Sequence, residues 1–297
     1  MENKKCALVA IIGRPSAGKS TFLNAACQEN VSIVSPIPQT TRNAIRGIVN
    51  TSLGQLVFVD TPGYHKSEKK LNLILQQTAK DQLEGADAVL YLMDASRESG
   101  EEEALIAGLV RPFAQKTIVA INKCDLAAAK PLSCRSFIGN ALAELPAGRI
   151  YEISAKTDAG VEDLLRALYA LAPAQPNLYP EGFYTDQEVE FRIAEVIRGE
   201  AINRLEQEIP HALYVEIADA EFKNDGKKLW VRAFLCVERE SQKGIVIGKG
   251  ASMIKTIRIE ALKKLREIFE YKIDLDLQVK VDKNWRQKDD RLSRLLK

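Results

Sequence analysis

The chain has 297 residues, 46% of them hydrophobic and 28% charged, with 17 Gly and 11 Pro. That makeup fits a globular protein of about two domains and excludes disordered, fibrous and collagen-like classes. Two histidines and an odd five cysteines without CxxC spacing exclude an imidazole-built metal site, a zinc knuckle and a disulfide framework, and they point to a reducing cytosol.

Formal net charge is +2, but it is unevenly placed: residues 1–185 carry 19 charges of each sign, so the excess falls in the last third. There, residues 239–266 hold eight bases against two acids, and 280–297 hold seven against three. One such run is usually a solvated helix face. Two of them around a Gly-Lys-Gly turn suggest a polyanionic partner.

Taken in chain order, Lys4-Lys5 and the apolar stretch after them could open an export signal. The stretch ends at Gly13-Arg14-Pro15 without a small-residue cleavage site, so it reads as a buried strand. No run approaches the ~18 apolar residues of a membrane span. Residues 7–12, 56–59, 88–93 and 117–121 are short apolar runs, as in parallel strands covered on both faces. Helical stretches near 19–28, 71–84, 102–110, 133–143 and 161–171 alternate with them, and 45–50 reads as an antiparallel edge strand beside 55–59. An α/β unit with an open, mainly parallel sheet is expected. Residues 172–185 hold three prolines and no period, a linker pattern. Beyond it the order predicted is a helix near 186–208, strands at 212–222 and 228–238 joined through Asn224-Asp225-Gly226, a short helix near 241–246, a longer one to about 270, and an alternating strand at 273–281.

Gly13-Arg14-Pro15-Ser16-Ala17-Gly18-Lys19-Ser20 fits the phosphate-loop pattern G-x-x-x-x-G-K-[ST] directly after a predicted strand and before a helix. Its backbone N–H groups and the helix N-terminus suit a β-phosphate, Lys19 suits β/γ oxygens, and the Ser20 hydroxyl suits Mg²⁺. Asp60-Thr61-Pro62-Gly63 closes a strand on the same sheet edge, where Asp60 can hold Mg²⁺ through water and the Gly63 N–H can face a γ-phosphate. Between them, in an aperiodic loop, lies Gln39-Thr40-Thr41-Arg42. Thr41 is either a second Mg²⁺ hydroxyl, ordered by the γ-phosphate, or an ordinary surface threonine. Asn122-Lys123-Cys124-Asp125 follows another strand, and the Asp125 carboxylate can accept two hydrogen bonds that guanine offers and adenine lacks. Ser154-Ala155-Lys156 can supply N–H groups to the guanine oxygen.

The ordered set GRPSAGKS, QTTR, DTPG, NKCD and SAK resembles the translation-factor-related GTPases, and its QTTR form resembles the Era family. The segment Glu238–Gly250 is similar to the Era version of a type II KH domain, whose αββααβ order agrees with the pattern read after the linker. The resemblance implies an α/β P-loop GTPase domain over 1–171, a linker at 172–185, a smaller α+β type II KH domain over 186–282 and a basic tail at 283–297. It extends the GTP-binding set to Gly13 through Thr21, with Asp60, Thr61, Pro62, Gly63, Asn122, Lys123, Asp125, Ser154, Ala155 and Lys156. Lys19, Thr41 and Gly63 would be catalytic, and Ser20, Thr41 and Asp60 would be on the metal. It further implies GTP hydrolysis with Mg²⁺, binding of the 3′ region of small-subunit ribosomal RNA during 30S assembly, a monomer in the cytoplasm, and peripheral contact with the inner membrane.

Gly248, Lys249, Gly250, Ala251, Lys255 and Arg258 form the candidate RNA contacts, since a Gly-x-x-Gly loop lets backbone approach phosphates and cations add salt-dependent affinity. By themselves these residues also suit a tight helix–helix turn and a solvated helix face, and the tail suits either RNA contact or mobility. Three departures stand out. Ala251 replaces the second loop glycine, tolerable if it already starts the helix. Ser16 stands where many relatives have an Asn linked to potassium stimulation, which leaves that stimulation open. Tyr64 stands where Ras-like enzymes keep a water-orienting Gln, so slow unassisted turnover is expected. Two other readings remain: an RNA-binding module whose nucleotide domain is a scaffold, disfavoured by the intact Lys19, Ser20, Asp60, Asn122 and Asp125; and a small-molecule kinase, disfavoured by the guanine-reading motif.

Overall fold

The computed structural model describes residues 4–35, 43–60, 70–288 and 291–293. They fall into two compact units: residues 4–32, 43–60 and 70–186 in the first, and residues 33–35, 187–288 and 291–293 in the second.

In the first unit the strands are β1 (Lys5–Ile12), β2 (Ile45–Thr51), β3 (Gly54–Asp60), β4 (Ala88–Asp94), β5 (Thr117–Asn122) and β6 (Ile150–Glu152). The helices are α1 (Lys19–Cys27), α2 (Lys70–Gly85), α3 (Glu101–Val110), α4 (Pro131–Ala141) and α5 (Val161–Leu171). The sheet order is β2-β3-β1-β4-β5-β6, with β2 antiparallel to β3 and the other neighbours parallel. Every residue of β3, β4 and β5 is buried, which is why these segments read as unbroken apolar runs rather than alternating ones. Because β1, β3, β4 and β5 run the same way, Gly13, Asp60, Asp94 and Asn122 all arrive at one edge of the sheet.

Residues 172–185 form no helix and lie along the first unit. Cys6 N–H donates to the Pro173 carbonyl (3.1 Å) and Ile48 N–H to that of Tyr184 (2.9 Å). The Gln55 amide brackets Tyr179, donating to its carbonyl and accepting from its N–H, both at 2.9 Å. The edge strand β2 presents backbone groups that need partners, and this strap supplies one.

The second unit contains α6 (Val189–Ile202), α7 (Ile209–Ala212), β7 (Tyr214–Lys223), β8 (Lys228–Val237), α8 (Glu240–Ile247), α9 (Ser252–Ile268) and β9 (Lys272–Val281). Its sheet order is β7-β8-β9, antiparallel then parallel. Ile193, Ile197, Val231, Leu235, Ile257, Leu265 and Leu275 share one core under the helices. The single helix expected over 186–208 stops at Ile202, and the chain turns so that Leu205 and Ile209 enter the same core. The hairpin turn forms as read, with Asn224, Asp225 and Gly226 at φ 53°, 51° and 83°.

Tail residues Trp285–Gln287 make a short helical turn. Trp285 is buried, donates its indole N–H to the Ala212 carbonyl (2.8 Å) and packs edge-on against Tyr214. Arg286 pairs with Glu238, Lys288 with Asp282, and Arg291 with Glu216 and Asp282. Among the described tail residues, these three bases are therefore paired within the unit. Of the acids that pair with them, Glu216 and Glu238 lie far away in sequence, where a charge count over 280–297 does not include them.

Candidate nucleotide site and nucleic-acid interface

The loop from Gly13 to Gly18 bridges β1 and α1, which opens with Lys19 and Ser20. A side chain at Gly13 would meet the Leu92 carbonyl oxygen at 2.4 Å, and one at Gly18, whose φ is +94°, would meet the Asn122 amide at 2.4 Å. Both loop glycines are thus fixed by close approach. Lys19 is buried and its ammonium donates to the Gly13 and Arg14 carbonyls at 3.0 and 3.2 Å. Desolvation pulls its pKa down, opposed by the Asp60 and Glu103 charges.

A triphosphate at Lys19 would reverse that shift by supplying negative charge. The sign follows: the bound state holds its proton to higher pH than the free state, so binding takes up a proton as pH rises past the lowered free value. GTP affinity should fall with rising pH between that value and the ordinary lysine range, with the fall absent in Lys19→Arg. Calorimetry in buffers of different ionisation enthalpy checks it, and no proton uptake in the parent would refute it.

The Ser20 hydroxyl donates to Asp60 Oδ2 at 2.7 Å, and Asp60 is fully buried at the end of β3. A hydroxyl and a carboxylate side by side at the phosphate-loop helix are hard oxygen donors of the kind Mg²⁺ takes, so these residues fit the ion. Thr41, Thr61, Pro62, Gly63 and Tyr64 lie outside the described residues.

Asn122 joins three loops: its amide donates to the Ala17 carbonyl and accepts from Ala155 N–H, each at 2.9 Å. The Ser154 hydroxyl donates to Asp125 Oδ1 at 2.7 Å, bringing the two candidate base-reading motifs together. Lys123, in the left-handed region at φ 66°, donates to Asp94 Oδ2 at 2.8 Å. Burial would raise the Asp94 carboxyl, but hydrogen bonds from Lys123 and Ser96 hold it below the usual range.

Arg14 was expected among the GTP contacts, yet its side chain turns inward and is buried. Its Nε stands 3.1 Å from Glu103 Oε1, and it donates to the carbonyls of Glu98 and Asp94 at 3.2 and 3.5 Å. Tyr91 donates its hydroxyl to Glu103. Burial raises both the Glu103 carboxyl and the Tyr91 hydroxyl. The Arg14 guanidinium is thus committed to partners inside the unit. Sequence reading missed Glu103 and Asp94, although Asp94 carries the same signal as Asp60: a carboxylate closing a parallel strand on the ligand edge.

In the second unit, Gln242 caps α8 by accepting from the N–H groups of Glu238 and Arg239 at 3.0 and 3.1 Å. Gly248, Gly250 and Ala251 then have φ of 74°, 60° and 60°. Ala251 does not start α9, as the tolerated case required; it is the left-handed residue before it, at a cost of about 1–2 kcal/mol. Lys249 and Lys255 are exposed. Arg258 donates to the Leu275 carbonyl at 2.5 Å, which occupies part of its guanidinium.

Comparison with known proteins agrees with this division. A family model described as 50S ribosome-binding GTPase matches residues 8–123, and a KH domain model matches 208–286. GTPase Era of Treponema denticola is 59% identical over 288 residues, covering 97% of this chain and 98% of that protein. GTPase Era of Borrelia garinii subsp. bavariensis is 41% identical, covering 98% and 99%. A crystal structure of an Aquifex aeolicus Era variant bound to GDP·AlF4⁻ superposes with TM-score 0.91 at 32% identity, covering 98% of each chain. An Era complex with MgGDPNP and nucleotides 1506–1542 of 16S ribosomal RNA gives 0.92 at 31%, covering 99% and 98%.

Proposed function

The chain belongs to the Era family and is a GTP-hydrolysing enzyme that uses Mg²⁺, and from that premise we propose that its nucleotide state governs binding of the 3′ region of 16S ribosomal RNA during assembly of the 30S subunit. The observation that carries this reading is the Gly248–Ala251 turn with Lys249 exposed beside it, in a chain whose Ser20 hydroxyl meets Asp60 and whose Ser154 hydroxyl meets Asp125. The solved relative with 16S nucleotides and MgGDPNP supports it.

In this reading residues 1–171 form the GTPase domain, 172–185 the linker, 186–282 the KH domain and 283–297 the tail. Backbone N–H groups along Gly13–Thr21, Pro15 excepted because it has none, orient the phosphates, Lys19 moves its ammonium from the Gly13 and Arg14 carbonyls onto them, and Gly63 N–H holds the γ-phosphate. Ser20, Asp60 and Thr41 would hold Mg²⁺, which when bound neutralises charge on the β- and γ-phosphates. Asp125 with Ser154, Ala155 and Lys156 selects guanine, while Asn122 and Lys123 brace that loop. Gly248, Lys249, Gly250, Ala251, Lys255 and Arg258 line the RNA groove, with Arg258 contributing least. The protein acts as a cytoplasmic monomer with peripheral inner-membrane contact; among the described residues no helix is long and apolar enough to cross a membrane.

Single-turnover hydrolysis tests the coupling: turnover is slow alone and rises with the 3′ fragment of 16S RNA. Lys249→Ala weakens RNA binding and reduces its salt slope by about one, as loss of one phosphate contact does. Equal rates with and without RNA would leave the scaffold reading in its place.

A further inference from the structure

We infer that Asn24 and Ser32 are positioning residues that aim the Asp60 carboxylate at the metal side of the phosphate site. The inference rests on the reading of Ser20 and Asp60 as the magnesium side, and it adds two residues that no phosphate-site motif contains. Asn24 lies one helical turn after Ser20 on α1, so both side chains share a face. Its amide is spent on the chain that follows the helix. Oδ1 accepts from the N–H groups of Val31 and Ser32 at 3.0 and 2.8 Å, and Nδ2 donates to the Ser32 carbonyl at 2.8 Å. Ser32 is thereby held on both sides of its Cα.

With its backbone fixed, Ser32 points its hydroxyl at Asp60 Oδ2, 3.2 Å away, the oxygen that also accepts from Ser20. Ser32 is 9% exposed and Asp60 is 0% exposed, so water competes little for this bond. Two hydroxyls from separate segments therefore fix the rotation of one buried carboxylate. A carboxylate that acts on a metal through an intervening water must be held in one orientation, because a small rotation moves the acceptor off the water. Groups bonded to a metal's ligands in this way characteristically set its affinity. Asparagine is also a poor residue inside a helix, so its place on α1 costs local stability that the three bonds to residues 31–32 offset.

The test is a magnesium titration of the intact chain, following retention of a fluorescent methylanthraniloyl-GDP after dilution into unlabelled GDP. Ser32→Ala should raise the magnesium concentration for half-maximal retention by about tenfold. Retention in excess chelator should not change. Ser32→Thr, which keeps the hydroxyl, should return the midpoint toward the parent. Asn24→Ala should shift the midpoint in the same direction, although its amide bonds to the 31–32 backbone and not to Asp60. A purely structural role would lower the thermal midpoint of these variants and leave the magnesium midpoint alone, and that result overturns the inference. If the parent itself shows no magnesium dependence, the assignment of Ser20 and Asp60 falls first, and the inference with it.

Discussion

Asp125→Asn should move the nucleotide site from guanine to xanthine, with GTP binding weakened by about a thousandfold and XTP binding strengthened. In the proposed assignment the carboxylate would face a base that offers two donors, N1–H and the 2-amino group. The Ser154 hydroxyl already occupies Oδ1 at 2.7 Å and so fixes the plane of the carboxylate. An asparagine keeps that hydroxyl bond through its carbonyl and then presents its NH₂ to another NH₂, leaving buried donors without acceptors. Xanthine carries a carbonyl where guanine has the amine, which restores the match. Competition of labelled GTP with GTP and XTP on parent and variant reads the ratio directly; an unchanged GTP preference would refute the assignment of Asp125. Ser154→Ala should show a weaker form of the same loss, since it frees the carboxylate without removing it.

The site residues legible in the sequence are those whose role is set by local backbone. Strands buried on both faces write themselves as apolar runs, so β3, β4 and β5 were readable, and with them the positions of Asp60 and Asn122 at their carboxyl ends. What the sequence did not disclose depends on contacts between distant segments. Arg14 and Glu103 form an ion pair across 89 positions of sequence, and nothing local in Glu101-Glu102-Glu103 says which acid turns inward. Residues 172–185 carry a linker's composition, yet the edge of β2 binds them, because an exposed strand edge is filled by whatever chain lies near it. Ala251 is legible as a departure from a loop pattern, while its positive φ follows only from how α8 and α9 are set by the core beneath them.

Removing Glu103 should destabilise the protein and loosen the phosphate loop together. Arg14 and Glu103 are 4% and 1% exposed, so neither charge has water to fall back on. Glu103→Ala leaves the Arg14 guanidinium buried with backbone carbonyls as its remaining partners, a loss of about 3–5 kcal/mol, readable as a lower urea midpoint. Tyr91→Phe removes one hydrogen bond to a charged group, about 1.5–3 kcal/mol. The triple variant Arg14→Met/Glu103→Leu/Tyr91→Phe, which leaves no buried Tyr91 hydroxyl without its carboxylate, separates stability from function. Replacing a buried pair by apolar groups of similar volume is often neutral or stabilising, so the urea midpoint should recover. GTP affinity should not recover, because the loop has lost its bonds to the Glu98 and Asp94 carbonyls, and Asp94 is also the carboxylate that holds Lys123 in the base-reading loop. An affinity that returns with stability would show that the pair serves folding alone, and a Glu103→Ala variant as stable as the parent would remove the pair's importance altogether.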